Sequence, residues 1–126
     1  MPLRILIVDD NYEAADVLQI ALGALGHSIA IAYNGASALE IAKTHAPQIA
    51  LVDIGLPVMN GYRLAELLRA EHDIPIVAIT GYGQESDRQQ TQAAGFAAHL
   101  VKPVDLYELE DLVSRLCAPD SNARSR

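Results

Sequence analysis

Five strand-length apolar runs, each stopping abruptly at a polar residue and separated by helix-spaced segments, constrain this chain more than any other feature. The clearest is Ile49-Ala50-Leu51-Val52-Asp53, which ends in one acid followed by Gly55, Leu56 and Pro57. A strand with no polar side must be covered on both faces, which is the condition of a parallel sheet held between helical layers. Leu3 to Val8 repeats the pattern apart from Arg4, and it ends at Asp9 and Asp10. Ser28 to Tyr33, Ile76 to Thr80 and about Ala97 to Val101 complete the set.

Helical signals fill the intervals. Asn11 is placed to cap a helix on which Ala14, Val17, Leu18, Ala21, Leu22 and Leu25 recur at helical spacing, and Gly26 supplies its stop. Asn34 opens a second helix to about His45, closed by Pro47, while Leu64, Leu67 and Leu68 mark a third. A Gly81-Tyr82-Gly83 loop then leads to a polar helix over about 85–94, stopped by Gly95, with little to bury. Asp105, with Glu108 three residues later, has the form of a capping box before a last helix whose core stripe is Leu106, Leu109, Leu112, Val113 and Leu116. Pro119 breaks that helix. The expected organisation is one domain over residues 1–118 and a short polar tail over 119–126.

Right-handed crossovers make this alternation an α/β fold, a doubly wound five-stranded parallel sheet in the order 2-1-3-4-5. In that order the carboxyl ends of the first and third strands meet at the switch point, where open sheets of this class bind ligands. Asp9, Asp10 and Asp53 therefore share one crevice, flanked by Thr80 and Lys102 at the next two strand ends. Three clustered carboxylates repel one another unless a hard divalent cation such as Mg²⁺ joins them, with a lysine covering the remainder. Such a set suits phosphoryl transfer, with Asp53 attacking phosphorus in line to give an acyl phosphate and Thr80 donating its hydroxyl to the new group. Singly, each residue has a plainer explanation: Asp9 or Asp10 as a helix-start acid, Asp53 as a turn residue, Thr80 as a strand former, Lys102 as a surface charge. Their joint placement at four strand ends favours a site.

Composition narrows the partners. With 126 residues and 51% hydrophobic content, the chain is the size of one domain with a real core. Sixteen acids against nine Lys plus Arg give a formal net charge of −7, which opposes direct binding to nucleic acid or an anionic membrane. Cys117 is the single cysteine and so forms no internal disulfide, which suits a reducing cytoplasm. The apolar runs are too short to span a bilayer, and the first residues lack the layout of a signal peptide.

On Asp9-Asp10-Asn11, Asp53 with Leu56-Pro57 and Met59-Asn60-Gly61, Thr80-Gly81 and Lys102-Pro103, the chain resembles the receiver domain of two-component response regulators over almost its whole length. The resemblance implies a flavodoxin-like sandwich and a phosphoryl-accepting signalling switch, in which Asp53 takes a phosphoryl group from a phosphohistidine of a histidine kinase or histidine phosphotransfer domain. It implies Mg²⁺, with Mn²⁺ as a substitute, ligated by Asp10, Asp53 and the carbonyl of Gly55, with Asp9 acting through water. Thr80 and Lys102 would bind the phosphoryl group, Lys102-Pro103 would be a cis peptide, and Thr80, Tyr82 and His99 would form the switch. His99 stands where the family often has Tyr or Phe; as a plain residue it is a half-buried strand histidine. Such a domain is not an enzyme beyond its own phosphorylation and slow dephosphorylation. Gly55, two residues after the acceptor, and Asn60, where the family frequently has Asp, are departures that bear on phosphoryl lifetime and loop geometry. The stretches around Gly81 to Asp87 and Gly95 to Asp105 resemble receivers at the carboxyl end of hybrid histidine kinases, which would make the chain one domain of a longer protein. The alternative is a pseudo-receiver, a constitutive protein-interaction module that is never phosphorylated.

Overall fold

The computed structural model describes residues 2–56, 58–81 and 94–117. Five parallel strands, β1 (Arg4–Val8), β2 (Ser28–Ala32), β3 (Ile49–Asp53), β4 (Ile76–Thr80) and β5 (Ala98–Val101), lie in the order β2-β1-β3-β4-β5. The helices are α1 (Tyr12–Gly23), α2 (Gly35–His45), α3 (Gly61–Glu71) and α4 (Leu106–Leu116). The expected polar helix falls on residues outside the described set, apart from Ala94, which lies in a turn; Tyr82 and the 119–126 tail also lie outside it.

Strand alternation divides the core in two. Ile5, Ile7, Ile49, Leu51, Val77, Ile79 and Leu100 pack with Leu18 and Leu22 of α1 and Leu109, Leu112 and Val113 of α4. Leu6, Val8, Ala50, Val52 and Ile76 pack instead with Ala38 and Ala42 of α2 and Leu64, Ala65 and Leu68 of α3. Coverage on both sides is why β3 and β4 carry no solvent-facing residue before their ends.

Each helix starts on a side-chain cap. The Oδ1 atoms of Asn11, Asn34 and Asn60 accept from the amides of Ala14, Ser37 and Arg63 at 3.0, 2.8 and 3.0 Å. Asp105 Oδ1 accepts from both Tyr107 and Glu108 amides, at 2.9 and 3.2 Å. The apolar stripes need correction at three places. Val17 and Leu25 are 54% and 55% exposed and Leu106 is 40% exposed, because Ala15 shares the inward face of α1 with Leu18 and Leu22, and Leu109, Leu112 and Val113 make the inward face of α4. The helix also stops at Gly23, ahead of Leu25, with Gly26 in the left-handed region at φ +95°.

The loop after Asp53 returns to the sheet through Gly61. A Cβ there would collide with Ile54 Cα and stand 2.9 Å from the Asp53 carbonyl oxygen, both fixed backbone atoms. Gly61→Ala is therefore expected to destabilise by about 1–3 kcal/mol through overpacking. Gly23→Ala, at a position with nothing within 4 Å, should stabilise by about 0.5–1 kcal/mol through helix propensity. Urea denaturation of the two variants measures both effects, and equal shifts would remove the close approach as the reason for glycine at 61.

Candidate functional site

The switch point carries an acidic cluster. Asp9 follows β1, Asp53 ends β3, and with Asp10 they bring one carboxylate oxygen each to within 4.8 Å of one another. Like charges about 4 Å apart at a protein surface repel by roughly 4 kcal/mol, so the arrangement calls for cations. Asp9 continues the alternation of Ile5 and Ile7, Asp53 that of Ile49 and Leu51, and Lys102 that of Ala98 and Leu100. All three thus emerge on the side of the sheet that α1 and α4 cover.

Lys102 supplies one cation. Its Nζ lies 3.1 Å from Asp9 Oδ2 and 3.2 Å from Asp53 Oδ2. The second contact is an aligned hydrogen bond, whereas Asp9 Oδ2 is buried with an ion-pair neighbour and no aligned donor. Asp9 Oδ1 accepts from the Asn11 amide at 2.9 Å, and Asp53 Oδ1 from the Gly55 amide at 2.8 Å. Asp9 is 2% exposed and the Asp53 side chain 13%, while Asp10 is open to solvent.

Burial pushes the Asp9 carboxyl above the usual carboxylate range, against the opposing pull of the Asn11 amide and Lys102. Burial also works to lower Lys102, but its bonds and attraction to Asp9 and Asp53 outweigh that and raise it. The lysine is secure as a cation, whereas the Asp9 charge is still under-compensated. A further hard cation fits that deficit: the donors are all oxygen, and a buried carboxylate oxygen lacks a hydrogen bond.

The other residues named from the sequence are placed as follows. Thr80 ends β4 at 3% exposure, and its Oγ1 lies 3.0 Å from His99 Nε2 on β5. The Lys102–Pro103 peptide is cis. Gly55 touches Asp53 through its amide, and Tyr82 lies outside the described residues. Sequence reading missed that Asn60 caps α3 and that His99 meets Thr80 directly. A cap-forming Asn shortly before the Leu64, Leu67 and Leu68 pattern could have flagged the first; the second depends on strand register. A cleft lined by Ala14, Val17, Ile79, Pro103, Val104 and Leu106 opens beside Asp9 and Lys102.

Residues 5–114 match the sequence model of the response regulator receiver domain. A 14.6 kDa protein of Leptolyngbya boryana is 36% identical over 119 residues, covering 91% of this chain and 90% of its own. A ycf27 regulator of Cyanophora paradoxa is 32% identical over 119 residues, covering 94% of this chain and 50% of its own, so the chain spans about half the length of that relative. A two-component response regulator from Clostridium difficile superposes with a TM-score of 0.85 at 26% identity, over 89% of this chain and 93% of that one. No helix among the described residues is long and apolar enough to cross a membrane.

Lys102→Met is expected to destabilise the metal-free protein by about 2 kcal/mol at neutral pH, since it strands the buried Asp9 charge. An acid whose folded pKa is raised takes up its proton more readily folded than unfolded, so the loss should shrink as pH falls through the folded Asp9 pKa. Millimolar Mg²⁺ should also reduce it. Urea denaturation at two pH values, with and without the ion, checks this; a loss indifferent to both would mean that Lys102 acts through packing alone.

Proposed function

Because the chain belongs to the response regulator receiver domain family, we propose that it is a phosphoryl-accepting switch in a two-component or phosphorelay system, with Asp53 as acceptor. The observation that carries this reading is the three-carboxylate cluster with Lys102 bridging Asp9 and Asp53. The donor is a phosphohistidine on a histidine kinase or histidine phosphotransfer domain. An Asp53 carboxylate oxygen attacks phosphorus, the P–N bond to the donor imidazole breaks, and the nitrogen leaves with the bonding pair and takes up a proton. The product is an aspartyl acyl phosphate.

The chain's own groups divide the work. The Gly55 amide fixes the rotation of the Asp53 carboxylate, so that the attacking group is already oriented. Lys102, already bonded to Asp53, would move from the carboxylate to the phosphoryl oxygens as negative charge transfers, and Thr80 would donate its hydroxyl. Asp10, Asp53 and the Gly55 carbonyl would hold Mg²⁺, with Mn²⁺ as a substitute and Asp9 assisting through water. Bound there, the ion would neutralise charge shared between carboxylate and phosphoryl oxygens. The domain catalyses only its own phosphorylation and slow dephosphorylation. Gly55 brings no side chain to the place from which water would attack.

The setting is part of the proposal. The motif around Gly95 to Asp105 supports a receiver carried by a hybrid histidine kinase, and the ycf27 relatives support one carried by a regulator. A single cysteine, with burial raising its thiol pKa, is in keeping with the cytoplasm.

Incubation with acetyl phosphate and Mg²⁺, followed by intact mass, should add one phosphoryl group to wild type and none to Asp53→Asn. Asp10→Ala should weaken Mg²⁺ binding more than Asp9→Ala. An unmodified wild type would favour the constitutive interaction module, and equal metal losses would move Asp9 into direct contact with the ion.

A further inference from the structure

We propose that the cleft between α1 and residues 102–106 is a binding site for a small organic cation, an alkyl or aryl amine whose apolar body fills the cleft and whose ammonium lies against Asp9. This goes beyond the phosphoryl-acceptor reading and does not depend on it. The cleft has a volume of about 430 Å³, within the range of small-molecule sites. Ala14, Val17, Ile79, Pro103, Val104 and Leu106 line it, and among the lining residues Asp9 and Lys102 alone are charged.

Two demands are unmet there. Val17 and Leu106 line the cleft yet remain 54% and 40% exposed, so apolar surface is left in water. At the charged end, Asp9 is 2% exposed and its Oδ2 is buried without an aligned donor, its ion-pair neighbour Lys102 Nζ at 3.1 Å being shared with Asp53. A ligand that answers both has an apolar body and one polar head. The sign of that head follows from the local charge: three carboxylates, Asp9, Asp10 and Asp53, less the one ammonium of Lys102, leave a formal −2. An anion drawn to Lys102 would meet that excess, whereas an ammonium is attracted by it and brings N–H groups to Asp9 Oδ2. A quaternary ammonium has the charge without the donors, so the site favours a primary amine.

Titration of the wild-type protein with 3-phenylpropylamine, followed in methyl ¹H–¹³C spectra, tests the proposal. Saturable shifts are expected at Val17, Ile79, Val104 and Leu106, with Leu64 and Leu68 on the opposite face of the sheet as controls. The anion 3-phenylpropionate, of similar shape, should bind at least about tenfold more weakly, and so should propylamine, which keeps the head and loses most of the body. Val17→Ser, a change at an exposed position, should weaken the amine by about fivefold. In Asp9→Asn the amine should lose its advantage over the carboxylate; if that variant does not fold, the comparison of the two ligands on wild type decides the sign of the head. Amide spectra verify the fold of each variant. Absence of saturable shifts at the cleft, equal binding of amine and carboxylate, propylamine binding as well as the phenyl compound, or a folded Asp9→Asn that still prefers the amine would each overturn the proposal. Acetyl phosphate labelling reads the acceptor separately, so a protein that labels and does not bind the amine loses this site and keeps Asp53 as acceptor.

Discussion

The carboxyl end of this sheet depends on the ion pairs that Lys102 makes with Asp9 and Asp53. Lysine is an apt residue for the task because of where the strands lie. β5 and β3 are separated by β4, a distance of roughly 10 Å at ordinary strand spacing, so the ammonium must cross β4 to reach Asp53. On the same face β4 presents Ile79, buried beneath that path. The flexible methylene stem can lie over apolar surface while the charge reaches the carboxylates beyond it. Pro103 and Val104 continue the same segment into the cleft beside α1, so the charged floor of the site and its apolar wall are consecutive residues.

The parts of the fold that could be read from the sequence are those in which one physical demand dominated. β3 and β4 had to be apolar throughout because they are covered on both faces, and their ends had to be polar because they meet water. Asn11 and Asn34 were legible as caps since a short amide side chain before a helical pattern satisfies orphan amides. Topology then followed from handedness, and it brought Asp9, Asp10 and Asp53 together as expected.

Where two demands compete, the sequence is ambiguous. On α1 the apolar residues form overlapping stripes, one through Ala15, Leu18 and Leu22 and another through Val17 and Ile20, and periodicity alone does not say which faces the sheet. Packing against Ile5 and Ile7 chooses the first. The second stays exposed, with Val17 lining the cleft beside Asp9. The Thr80–His99 contact was hidden for a different reason. It lies diagonally across the β4–β5 register, in which Thr80 faces Val101, and a pairing register is a property of two strands together that neither shows alone.

Access and anchoring together separate the three carboxylates, which composition leaves equivalent. Asp9 is the most buried and is committed twice, to the Asn11 amide and to Lys102, so a nucleophilic role would require uncovering it. Asp10 is open to solvent. Asp53 lies between these limits: its side chain is 13% exposed, one oxygen is oriented by the Gly55 amide, and the other is paired with a lysine that is itself partly open to water. A group that must attack an incoming electrophile needs access from one side, a fixed rotation and a counter-charge that can follow the developing negative charge. Within this cluster Asp53 alone is seen to combine the three. The neighbouring acids then contribute negative potential that a hard cation can exploit, and the burial that disqualifies Asp9 as a nucleophile makes its charge the most demanding of compensation.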